Sequence, residues 1–318
     1  MKILDPLRLP PRLILAAIIA GTLIGVSAGV LKWLTKHISH AALSGFRIDQ
    51  ANWWLVILPV IGIMLVGYLV RNVFKMPLAN GSVMIKDDLD AGKGKLPAKL
   101  TVASIITSSL TLGFGGSAGA EGPISYTGAA IGSNIAQLFK LTPQHTLVFM
   151  ACGAGAGIAA IFQSPIGGMF FALEVLRMEL GVTPVLSLAS MCLLSSLTAY
   201  SMSGFATNMV ISSTLTFEWS MLPGLLILGV FCGLYSAYYL ASGRKVGHRI
   251  EAIRRPVVRN VVSGLVIGAC LVLFPALYGE GYEVLTEVAN GNMHSVTDGT
   301  FLSMVPHSWV IIVALGGI

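Results

Sequence analysis

Residues 113–132 read GFGGSAGAEGPISYTGAAIG. A glycine-rich turn leads into Glu121-Gly122-Pro123, and a helix-compatible run of small and apolar residues follows. Pro123 suits the first helical turn, where its missing N–H leaves no bond unmade. The glycines before it leave backbone N–H groups free to face a ligand. A helix N-terminus carries about half a positive charge and attracts anions without a lysine. Glu121 stands at that end, embedded in an apolar stretch. An ionisable group there is costly and points to function. A carboxylate at an anion-binding helix end can occupy the site itself and leave when protonated. That behaviour is a gate. The alternative is a glutamate that only caps its own helix.

The surroundings place this motif in a membrane. Of the 318 residues, 55% are hydrophobic and 11% charged, and the mean hydropathy is +0.81. Soluble domains carry about 25% charged residues. Apolar runs of ~20 residues, long enough to span a bilayer, recur along the chain. The net charge of +6 forms no nucleic-acid-binding face, because the basic residues fall in short loops between apolar runs. Cys152, Cys192, Cys232 and Cys270 lie inside apolar segments without metal spacing and read as small core residues. The six histidines are scattered, no cofactor motif occurs, and 153–157 lacks the context of a phosphate loop. With Gly128 and Gly132, it reads as a helix–helix packing surface of small residues.

Candidate membrane segments are Leu13–Leu34, Trp53–Val73, Leu100–Gly116, Gly122–Phe139, Thr146–Phe162, Pro165–Leu180, Pro184–Gly204, Leu222–Ala241, Val257–Leu277 and a last one from Met304. Short, Gly- and Pro-interrupted segments suit discontinuous helices meeting near the bilayer midplane. The expected fold is all-α: a polytopic bundle of tilted helices of unequal length. Arg8 and Arg12, the lysines of 75–99 and the arginines of 244–259 mark cytoplasmic loops. Two long spans, a short amphipathic segment and another span occur twice, with 81–89 and 279–287 as the short segments. The implied organisation is a first membrane repeat over 1–204 and an incomplete second, inverted repeat over 221–318. The second stops at Ile318 inside an apolar run, so a longer parent is expected, and residues 1–318 alone are expected to conduct little.

GGSAGAEGP at 115–123, GAAIGS at 128–133 and GAGAGIAAIFQSPIGGMFFALEVL at 153–176 together resemble the CLC family of chloride channels and chloride/proton exchangers. GSVMI at 81–85 falls where that family has its first anion-binding segment. The resemblance implies an integral membrane protein of the plasma (inner) membrane, passing chloride or a similar small anion. It also implies a homodimer in membrane lipid with one pathway per subunit, without a cofactor or nucleic acid. Carried over by position, Glu121 is the gate, and Ser82, Val83, Gly119, Glu121 and Gly122 form the anion site. The sequence departs from the pattern at Ala120, where a basic residue is usual, and in the missing proline of GSVMI. It departs again at Val175, where proton-coupled members carry an inner glutamate. Passive, channel-like flow is therefore expected, with proton-coupled exchange and a non-conducting fragment as the alternatives. A membrane enzyme would need a second ionisable partner for Glu121 or a Ser/His pair at membrane depth, and the sequence shows neither.

Overall fold

The computed structural model describes residues 11–44, 54–75, 81–178, 181–204 and 218–290, with backbone alone at 81–84 and 283. The expected span from Met304 lies outside these residues. Among the described residues the secondary structure is helical throughout. The α-helices are α1 (Pro11–Leu43), α2 (Trp54–Tyr68), α3 (Gly81–Asp90), α4 (Lys99–Gly113), α5 (Glu121–Leu138) and α6 (Pro143–Phe162). They continue as α7 (Pro165–Phe170), α8 (Val182–Met202), α9 (Leu222–Glu251), α10 (Pro256–Leu273) and α11 (Tyr282–Ala289). Short π-helical turns extend α2 and α7.

Six of these helices, with their short extensions, are long and apolar enough to cross a bilayer: α1, α2, α6, α8, α9 and α10. Their lengths are unequal. At 33 residues, α1 measures about 50 Å at 1.5 Å per residue, against a hydrocarbon core of about 30 Å. Such a helix tilts or projects beyond the core.

The core forms around α6. Fourteen of its twenty residues are buried, and it packs against α5, α8, α1 and α7. Thr142 caps its start by accepting a hydrogen bond from the His145 N–H, and Pro143 follows in the first turn. It stops at Gln163, which adopts a left-handed φ of 55°. The small residues expected at its interface permit very close approach. A Cβ on Gly128 would run into the Gly153 carbonyl, one on Gly132 into the Phe149 carbonyl, and one on Gly157 into the Ile124 carbonyl. The two backbones are thus in direct contact. A second seam joins α2 to α10, where Gly264 meets Val60 and Gly268 meets Val56.

Several boundaries differ from the sequence expectation. The basic stretch assigned to a loop after Ala241 continues α9 for ten more residues, through Arg244, Lys245 and Arg249 to Glu251. Arginine and lysine are good helix formers, so loss of hydropathy ends a membrane run without ending a helix. The cysteines also divide. Cys152 and Cys192 are buried, as expected, whereas Cys232 and Cys270 are exposed. Cys232 belongs to α9, which buries no residue, and Cys270 lies on an outward face of α10.

Candidate functional site

The turn from α4 to α5 sets the site. α4 ends at Gly113, and the Gly115 and Gly116 N–H groups fold back onto the carbonyls of Leu112 and Thr111. Gly115 has φ 87°, which glycine adopts without strain. Residues 116–119 then run without regular structure to Ala120, the N-cap of α5. Ala120 is buried with Ala28, Leu31, Leu112 and Ile124. The Ser104 hydroxyl donates to the Pro123 carbonyl at 3.0 Å, tying α4 to the first turn of α5.

Glu121 is the first residue of α5, and no side chain caps this helix. Its carboxylate folds back over Gly119, so closely that a Cβ there would collide with it. In front of Gly122 the space is open: an added Cβ would meet nothing within 4 Å. The carboxylate therefore lies close to the start of its own helix, where the helix dipole is positive.

Ser82 and Val83 lie in the first turn of α3, and their side chains are outside the described residues. One turn on, Ile85 is buried in a cluster with Tyr126, Ala129 and Ala130 of α5. α3 therefore packs against α5 between its second and third turns, although the two helices are far apart in sequence.

Three further residues reach this region. The Tyr282 hydroxyl donates to Glu121 Oε1 at 3.0 Å, and its ring meets Phe162 edge-on at 6.2 Å between centroids. Glu280, in the turn before α11, interacts with both Glu121 and Lys32. The Lys32 ammonium donates to the Ile161 carbonyl at 2.8 Å. Burial pushes the Glu280 carboxyl above its ordinary range; Lys32 pulls it part of the way back and Glu121 raises it again. The Tyr282 phenol is raised as well, by burial first and by Glu121 second. Glu121 thus has ionisable neighbours, Tyr282 and Glu280, contrary to the expectation that the sequence holds none; they come from more than 150 residues away in the chain. The signal for Lys32 was weak, since it stands near the end of the Leu13–Leu34 run, where a lysine ordinarily snorkels to the interface. Nothing local marks Tyr282, which is 161 residues from its partner. Val175, at the end of the π-helical turn after α7, is 46% exposed, and Glu174 beside it is exposed too.

The fold is a bundle of unequal, largely apolar helices with a carboxylate at the start of α5, the architecture of a polytopic membrane protein. The family model described as "Voltage gated chloride channel" matches residues 62–317, and the chain belongs to that family. A chloride channel protein CLC-e of Arabidopsis thaliana is 28% identical over 300 residues, covering 84% of this chain and 41% of the relative. The solved structure of a slow cyanobacterial Cl⁻/H⁺ antiporter aligns with a TM-score of 0.75 at 21% identity, covering 98% of this chain and 73% of that one. A CLC-type fluoride/proton antiporter aligns at 0.70 and 21% identity, covering 96% and 73%. Across four curated relatives, this chain spans 40–65% of their length. The chain is an integral, multi-pass membrane protein of all-α CLC fold.

Proposed function

We propose that the protein moves small anions, chloride foremost, across the plasma (inner) membrane through a pathway gated by Glu121. The observation that carries this reading is the Glu121 carboxylate lying over Gly119 at the start of α5, with open space beside Gly122. A negative side chain held where an anion would be attracted competes with that anion. Protonation or outward rotation releases the position. In this reading Gly119 and Gly122 supply backbone to the site, and Ser82 and Val83 contribute from the start of α3. The packing of α2 against α10 supports an inverted-repeat organisation, since these are the second long spans of the two halves. A homodimer in membrane lipid, with one pathway per protomer, completes the reading.

The test is chloride efflux from liposomes containing the full-length gene product. Glu121→Gln removes the charge and keeps the shape, so efflux should persist while its pH dependence is lost. An unchanged pH response in that variant would overturn the gate.

Proton-coupled exchange is the second reading, favoured by the similarity to two antiporter structures. Against it stands Val175, which carries no proton. A reversal potential that follows the chloride gradient alone, under an imposed pH gradient, supports passive flow. A shift with the proton gradient would establish exchange.

A further inference from the structure

Tyr282 is held in place independently of its contact with Glu121. The preceding turn is pinned to the end of α4, where the Tyr278 hydroxyl donates to the Gly113 carbonyl at 2.7 Å. Gly281 takes φ 74° as the N-cap of α11, a conformation open to glycine. It turns the chain so that Tyr282 opens the helix. The Phe162 ring, from the last residue of α6, braces the tyrosine ring edge-on. Two separate elements therefore fix the phenol before it reaches the carboxylate. On the other side, the carboxylate has the Gly119 backbone beneath it.

We infer that Tyr282 is a latch: its hydroxyl holds the Glu121 carboxylate over Gly119 and so sets how strongly the carboxylate competes with an anion. This rests on the reading of Glu121 as the gate. The ionisable groups around the latch are Tyr282 on α11, Glu280 in the turn before it and, facing Glu280, Lys32 on α1. Glu280 disfavours a second negative charge nearby, and Lys32 offsets part of that field. The hydroxyl donates into the carboxylate and keeps it seated despite Glu280. Tyr282 is thus a positioning residue, acting on the anion only through Glu121.

A hydrogen bond to a charged group contributes enough that its loss shifts an equilibrium about tenfold. Chloride binding to the purified full-length gene product is measured by isothermal titration calorimetry for the native protein, Tyr282→Phe, Glu121→Ala and the double variant. Tyr282→Phe should raise the apparent chloride affinity about tenfold in the native background and leave it unchanged in the Glu121→Ala background. No change in the native background overturns the latch. An equal gain in both backgrounds overturns it too, because the tyrosine would then act through packing. If Glu121→Ala leaves chloride binding unaltered, the gate reading itself falls. A second measurement decides the contact even where binding is weak. The infrared carboxylate band that disappears in Glu121→Ala should shift in Tyr282→Phe, and an unshifted band overturns the proposal.

Discussion

Glu280 is a carboxyl held where its charged form is disfavoured. A group whose folded pKa lies above its unfolded value stabilises the fold at pH values below the unfolded pKa. That contribution disappears as pH rises through the folded pKa. For Glu280 the shift is upward, with burial as the largest cause. Its contribution is therefore present below the ordinary glutamate value of about 4.3 and absent well above it. Glu280→Gln is free of this penalty at every pH. The midpoint of thermal unfolding in detergent, taken as variant minus native, should be more positive at pH 7.5 than at pH 4. An equal difference at both pH values would show that the carboxyl is solvated. The residue scale is also where the sequence was least readable. Glu121 announced itself through the glycines and proline around it. Its partner did not, because a contact across 161 positions depends on how α10 and the following turn return to α4.

At the scale of elements, local pattern was informative where one physical signal decided the outcome. The expected segment from Gly122 to Phe139 became Glu121–Leu138, since proline and the preceding glycines define a helix start. The run from Thr146 to Phe162 gained one turn at its beginning, supplied by the Thr142 cap and Pro143. α9 was misjudged because hydropathy locates the membrane and says little about where helical hydrogen bonding ends. The glycine surface between α5 and α6 gives an element-scale prediction. In Gly128→Ala the new methyl meets the backbone carbonyl of Gly153, which cannot rotate away as a side chain can. Overpacking of this kind costs about 1–3 kcal/mol. The variant should unfold at lower denaturant or temperature than the native protein, whereas Gly224→Ala on exposed α9, where nothing lies within 4 Å, should be neutral or mildly stabilising. Equal effects at both positions would contradict the close approach.

At the scale of the molecule, α9 stands apart. It buries no residue and exposes Leu226, Ile227, Val230 and Leu234 along its length. Cys232 lies ten residues into the helix, about 15 Å from its start, near the middle of a hydrocarbon core of about 30 Å. Arg244 begins a basic end about 18 Å further on. A charged reagent does not partition into hydrocarbon. In liposomes a charged methanethiosulfonate reagent should therefore spare Cys232, as located by mass spectrometry, while an Arg249→Cys variant is modified. Rapid modification of Cys232 would place that face of α9 in water.

The contact of α5 with α6 has a kinetic consequence. Backbone against backbone at three successive levels, Gly157 with Ile124, Gly128 with Gly153, and Gly132 with Phe149, leaves no layer of side chains to act as a bearing. α5 cannot slide along α6, rotate about its own axis or rock away without parting main chains. α5 and α6 therefore behave as one body, and the Glu121 side chain adds three torsions of its own. Rotamer changes of that size take place in picoseconds to nanoseconds when unhindered. Displacing whole domains takes microseconds to milliseconds. If Glu121 is the gate proposed above, opening by that side chain alone needs no parting of α5 from α6 and belongs to the faster of these two regimes.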